Sequence, residues 1–475
     1  MLALSTIRAT LRHPSFLATA TTLVLGSAAC TLLLDHNSTQ CQSDADCAHF
    51  GGLPVCQRGL CVKSGLGPPD CFSGMPRQPQ DFANQCSSAE CLSFDNCQRL
   101  QLCGSPTPDT QPLRAPAKRD AGGVSGPLGV DAGAMPSCVD PARGRTQVVY
   151  MTGSSEFAPL LAKLAPIVIA GGGPTPVFLI SDSCTGVKSG MSSVDADHFI
   201  HDPAAGSLAA KYAAYFGADG IPVPCILGSA GARVDIGESG IFASTCAVFP
   251  MTGNGATESV GPNQAMAFIV PGASGQTAIS EEAAREAFGS GGNGGVPAPW
   301  INPARYYIPG PDTSTQQMIA HAISVPADQF WGMDQGNAAD IDQALKALTG
   351  SQADEAIGII SVDWYDNDRK NLKALAYKAS QQDCAYLPDS TSDAMDKRNV
   401  RDGHYPIWGP IHFFTGDPVP AAAGVFLAIV AVPKADVAVL DAFIAASLVP
   451  TCAMTVQRDA EIGSLRPYSP PFQCG

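Results

Sequence analysis

Four stretches of the chain set hydroxyl side chains beside flexible turns, a pattern suited to holding an anion by hydrogen bonds. They are Thr152-Gly153-Ser154-Ser155-Glu156-Phe157, Asp182-Ser183-Cys184-Thr185-Gly186-Val187, Val234-Asp235-Ile236-Gly237-Glu238-Ser239-Gly240 and Pro311-Asp312-Thr313-Ser314-Thr315-Gln316. Glycine lets the backbone turn tightly, and the free N–H groups of a helix start, joined by Ser or Thr hydroxyls, are donors aimed at negative charge. Helix capping by Ser154 or Ser155 would by itself account for the residue types in the first stretch. The candidate ligand-binding set is Thr152, Ser154, Ser155, Ser183, Thr185, Asp235, Ser239, Thr313, Ser314 and Thr315.

Covalent and metal chemistry are less well provided for. Gly237-Glu238-Ser239-Gly240-Ile241 misses the G-x-S-x-G elbow at its last position. His198 and His201 stand three apart on a polar stretch, without an H-E-x-x-H motif, and read as solvated surface histidines. His404 and His412 flank Tyr405-Pro406-Ile407-Trp408, a Pro-interrupted segment that reads as structural. No catalytic residue, metal site or cofactor is expected, and binding rather than catalysis is the predicted activity.

The elements that must position these turns alternate between apolar runs and amphipathic stretches. Runs 148–151, 177–180, 265–270 and 356–360 predict strands; 157–169 predicts a helix broken by Pro166. Further helices are predicted over 280–288, 315–323, 338–348 and 434–448, and the apolar run 421–432, which stops at Pro433, predicts a buried strand or short core element. Strands separated by helices predict a parallel α/β sheet, and roughly 330 residues exceed a usual single domain, so two lobes are expected.

Ahead of this region the chain is of another kind. Arg8 and Arg12 precede an apolar run over 16–25 and the small residues Gly26-Ser27-Ala28-Ala29 before Cys30. That order predicts a secretory signal over 1–29, too short to span a bilayer stably. It resembles the bacterial lipoprotein signal, which implies lipidation of Cys30 and a membrane anchor in the cell envelope, facing the periplasm or cell surface; Ser27 stands where that signal usually has Leu, and ordinary cleavage near Ala29 is the alternative. Setting Cys30 aside leaves 16 of 17 cysteines, ten before residue 140 and six after it, an even division that suits disulfides in an oxidising compartment. The spacings lack paired C-x-x-C units for zinc. Cys225 with Cys246 and Cys452 with Cys474 are the local pairings expected in the later region. Residues 30–105 read as a disulfide-stapled spacer or protein-binding module, 106–142 as a Pro/Gly/Ala-rich linker, and 143–475 as the main domain. A net charge of −15 excludes nucleic acid and anionic lipid surfaces as main partners, so any anion site must be local.

The order of the four turns resembles that of the type II periplasmic solute-binding proteins, above all the phosphate-binding protein of ABC transporters. Gly153-Ser154-Ser155 matches the turn after the first strand, Ser183-Cys184-Thr185-Gly186 the turn after the second, and Asp235-Ile236-Gly237-Glu238-Ser239 the "Asp-x-Gly-x-Ser-Asp" strand end, with Gly240 in place of its last Asp. Runs 266–270 and 356–359 look like its crossovers, and Thr313-Ser314-Thr315 like its Ser-Gly-Thr helix start. The resemblance implies two lobes, one of about 143–268 and 362–475 and the other of about 269–361, hinged near 268–270 and 359–363. It also implies a small ligand between them, an oxyanion such as phosphate, and an ABC permease as partner. Two departures bear on the ligand: the Arg expected four residues before Ser-Gly-Thr is replaced by Pro309, Arg305 being nearest, and Ser314 replaces Gly. A surface interaction scaffold with a degenerate site is the alternative function.

Overall fold

The computed structural model describes residues 71–100, 135–141, 145–192, 194–203, 211–246, 256–292, 296–431, 436–470 and 474, with Asp46 and two strands, Val55–Gln57 and Leu60–Val62, in the N-terminal part. The 1–29 signal, Cys30 and linker residues 106–134 lie outside the described residues. The chain forms two compact units, Met1–Pro69 and Asp70–Gly475. In the first, the two strands pair as an antiparallel hairpin.

The second unit is built on an 11-stranded mixed sheet. In chain order its strands are β1 (Val148–Gly153), β2 (Thr175–Ile180), β3 (Ala214–Phe216), β4 (Pro222–Pro224), β5 (Ile236–Ser239), β6 (Thr257–Pro271), β7 (Tyr306–Ile308), β8 (Met333–Asp334), β9 (Ile357–Ser361), β10 (Leu372–Ala374) and β11 (Trp408–Thr415). They lie in the order β8-β7-β9-β6-β11-β5-β1-β2-β3-β4, with β10 also on β6. Around β1 the neighbours β2 and β5 run parallel, and β7 is parallel to β8 and β9, so each half holds the expected parallel α/β arrangement. Antiparallel pairing is confined to the crossovers β6 and β11 and to the sheet margins.

The long strand β6 joins the halves by changing partner. Its residues 257–265 pair with β11, ending at Ala265 opposite Trp408, and 266–269 pair with β9, starting at Met266 opposite Ser361. The return path runs alongside: Met266 N donates to Ile407 O at 3.0 Å and Tyr405 Oη to Met266 O at 2.6 Å. The junction therefore lies at 265–266 and 405–408, not at 268–270 and 359–363. Beyond β9, residues 372–374 pair with β6, and 376–378 with a short strand at 278–280.

Helices cover both faces: α1 (Phe157–Ala170), α2 (Ser183–Met191), α3 (Glu281–Ser290), α4 (Ser314–Ile323), α5 (Ala338–Lys346), α6 (Val362–Asn367), α7 (Ala421–Val430) and α8 (Val437–Ala445). Pro166 lies within α1 without ending it. Proline removes the donor for the carbonyl four residues back, and that group, Ala162 O, lies 2.1 Å from where a Cβ on Gly220 would stand, so only glycine fits against it. Of the two alternatives expected for run 421–432, residues 421–430 form the short core element, a helix; Ala423, Phe426, Leu427 and Val430 are its buried residues, one face at helical spacing. Phe157 anchors α1 to the sheet by edge contacts with Phe178 and Phe413 at 5.7 and 5.5 Å, pairs of this kind adding about 0.5–1.5 kcal/mol each beyond their buried area.

The cysteines do not divide by region. The described bonds are Cys71–Cys86, Cys91–Cys384, Cys138–Cys225, Cys184–Cys246 and Cys452–Cys474. The local pairing 452–474 is present, whereas Cys225 and Cys246 each take a distant partner, because folding brings 137–140 beside 226 and lays α2 on β5. Residues 71–100, expected to be a spacer, are stitched to the main body by Cys91–Cys384, by Leu92 paired with Ala385, and by Phe82 and Leu100 in its core. The end of the predicted linker is docked too, with Cys138 N donating to Ile226 O at 3.0 Å.

Candidate functional site

The helix starts of α1, α2, α4 and α6 follow strands β1, β2, β7 and β9 and meet where the two halves face each other. Their contacts fix the geometry. Ser154 N donates to Glu238 Oε2 at 2.8 Å and Ser154 Oγ to the same oxygen at 3.0 Å. Glu156 accepts from Thr315 Oγ1 at 3.4 Å across the interface between halves, and lies 3.5 Å from Ser155 Oγ. Gly240 N donates to Ser183 Oγ at 3.3 Å.

Ser154, Ser155, Ser183, Ser314 and Thr315 lie at these converging helix starts, while other members of the candidate set are absorbed by local structure. Thr152 Oγ1 donates to Leu179 O at 2.8 Å. Thr185 is bonded through N and Oγ1 to its own cap, Asp182, both at 2.7 Å. Asp235 accepts from Tyr150 N at 2.8 Å, bracing β1. Ser239 bonds to Ile241, and Thr313 caps α4. Ser314 Oγ is buried without a hydrogen-bond partner. Arg305 ends the turn before β7, so a strand of three residues separates it, by roughly 10 Å, from the end at which the helix starts gather.

Carboxyls that the turn pattern did not single out occupy the centre. Glu238 is fully buried on β5, and burial, reinforced by the Glu156 charge and opposed by the Ser154 hydrogen bonds, pushes its pKa up to about 8. Burial likewise pushes Asp363, on α6, up to about 7, with the Glu156 charge adding to the rise. Glu156 keeps part of its surface exposed, and its pKa too is raised, first by burial. At neutral pH Glu238 thus holds its proton most of the time, which lets several carboxyls share the site. At the rim, desolvation and then the charge of Asp182 raise Asp312.

Two glycines make this packing fit. A Cβ on Gly153 would stand 2.4 Å from Glu238 Oε2, so the glycine of the first turn clears space for the glutamate. A Cβ on Gly240 would meet Gln264 Nε2 at 1.9 Å and Ser314 Cβ at 2.8 Å. Gln264 reaches across from β6 to donate to Gly240 O at 3.2 Å and fills the space that a side chain at 240 would take. One legible signal for the acidic centre was Glu238 itself, a charged residue inside the short strand Ile236–Ser239.

No family model matches this sequence, and no curated protein does. Among solved structures the chain is similar to an ABC-type phosphate transport receptor from Vibrio cholerae, at 11% identity over 64% of this chain and 100% of that one, TM-score 0.40. It is similar to a phosphate-binding protein from Stenotrophomonas maltophilia, at 12% identity over 64% and 90%, TM-score 0.38. It is also similar to an OxyR C206 mutant from Corynebacterium glutamicum, at 9% identity over 64% and 68%, TM-score 0.34. At these values the reading of the fold and of the site rests on the geometry above.

Proposed function

We propose that this chain is an exported binding protein, anchored in the cell envelope through a lipid on Cys30, that holds a small polar solute between its two halves for uptake or sensing. The observation that carries this reading is the convergence of helix starts from both halves, where Thr315 Oγ1 donates across the interface to Glu156, beside Ser155 and the Ser154–Glu238 contact. Binding sites of small molecules form where elements converge with a few placed polar groups. The carboxyls Glu156, Glu238 and Asp363 make the centre rich in acceptors, so the ligand class it suits carries hydroxyl or amine donors. The phosphate-like oxyanion implied by sequence resemblance would meet these carboxyls and would find the donors of Ser154 already engaged.

A thermal-shift panel on the mature chain tests this, with sugars, polyols and amines in one arm and phosphate, sulfate and molybdate in the other. A solute-binding protein gains stability as RT ln(1 + [L]/Kd) with its ligand. A shift in the first arm supports the proposal, a shift in the second alone restores the oxyanion, and no shift in either favours a surface scaffold. The scaffold reading has an observation of its own: the Ser154 donors are satisfied by Glu238, and two surface clefts lie elsewhere, one beside Asp195 and Arg233 and one beside Phe94 and Arg99. The anchor is tested by Cys30→Ala, which should move the protein from the membrane to the soluble envelope fraction; retention on the membrane would contradict it.

A further inference from the structure

We infer that Glu238 is a specificity-determining residue: its carboxyl stands as a built-in occupant on the donors of the first turn and keeps oxyanions out of the site. This rests on the reading of the converging helix starts as a binding site.

The chain leaving β1 enters α1, a helix of 14 residues, through Ser154 and Ser155. The helix begins at Phe157 with Glu156 as its cap, so the N–H and hydroxyl of Ser154, in the turn just ahead of it, are the donors an external anion would use. Here Ser154 N and Ser154 Oγ both point at Glu238 Oε2, at 2.8 and 3.0 Å, with Glu238 Oε1 at 3.3 Å from the same hydroxyl. One carboxyl thus takes both Ser154 donors, as two oxygens of a bound oxyanion would. Its place is prepared by the absence of a side chain at Gly153. Among the described residues the groups that meet the Glu238 carboxyl are the Ser154 donors and the Glu156 carboxyl, so its place is set by the turn rather than by an ion pair. What its position does is satisfy the turn and fill it. An oxyanion would have to displace the side chain, and would meet Glu156 beside it. The buried hydroxyl of Ser314, without a partner, is a further donor that an incoming group could use.

Shortening this one side chain should therefore open the site to anions. In Glu238→Ala, formate or acetate at about 50 mM should refill the vacated position, and phosphate or sulfate should bind, each raising the melting midpoint by about 2 °C or more. The wild type and Glu238→Gln, which keeps the space filled, should stay unshifted by the same salts, with chloride at equal ionic strength as the control. Should Glu238→Ala fold poorly, Glu238→Ser and recovery of the folded state on adding formate give the same reading. Failure of every anion to stabilise or restore either shortened variant, or equal shifts in wild type and Glu238→Gln, overturns the inference. The outcomes separate from those of the binding proposal: a wild type blind to every polar solute, beside a Glu238→Ala that gains anions, sinks the function but keeps the role of Glu238.

Discussion

Replacing Glu238 by Gln should leave the protein about as stable as the wild type in acid and make it more stable in alkali. The carboxyl is fully buried, and burial raises its pKa from the ordinary 4.5 to about 8. Between those values the folded state holds a proton that the unfolded chain has released. Stability contributed by the protonated form is therefore complete below the unfolded pKa and is lost as pH rises through the folded one. A unit of pKa corresponds to about 1.4 kcal/mol, so the full rise amounts to about 5 kcal/mol as an upper limit. Glutamine keeps the shape and can accept from Ser154 N, but has nothing to ionise. Urea unfolding at about pH 5, 7 and 9 would read this as a widening gap: near zero at the first, and several kcal/mol in favour of Glu238→Gln at the last. A gap that does not change with pH, or a variant that is weaker at alkaline pH, would refute the claim that this carboxyl is held protonated by burial.

Two further expectations concern packing. Gly240→Asp, which restores the residue that the resemblance would place there, should destabilise the fold by about 1–3 kcal/mol in the same assay, since its Cβ meets Gln264 and Ser314; an unchanged midpoint would show that these groups yield freely. Cys91→Ser should cost about 2–5 kcal/mol and expose residues 71–100 to protease, because the Cys91–Cys384 bond stitches that segment to the body. Resistance equal to that of the wild type would show that the noncovalent contacts suffice.

Much of the scaffold could be read from local patterns. The strand, Gly-Ser-Ser turn and helix at 148–170 announce themselves through an apolar run, a glycine and a helical period, all within one stretch of chain. The junction at 265–266 could not be placed in this way, because 265–270 is apolar throughout and nothing in it marks where one partner strand gives way to another. Run 421–430 stayed open between a strand and a short core element for a related reason: with apolar residues on every face, its period is hidden. Cysteine parity could not find Cys91–Cys384 or Cys138–Cys225, since pairing follows proximity in the fold. At the site the hydroxyls were legible from turn chemistry. Glu238 was legible only as a charged residue within a short strand; that it is buried follows from the place of that strand between two others.

A ligand held where the two halves meet must draw its affinity from both of them. The direct measurement takes the solute that shifts the wild type most and repeats its titration on Ser154→Ala/Thr315→Ala, one change on each half. The expected result is a folded double variant whose affinity falls by about tenfold or more, about 1.4 kcal/mol. Affinity equal to that of the wild type would place the ligand elsewhere and contradict it.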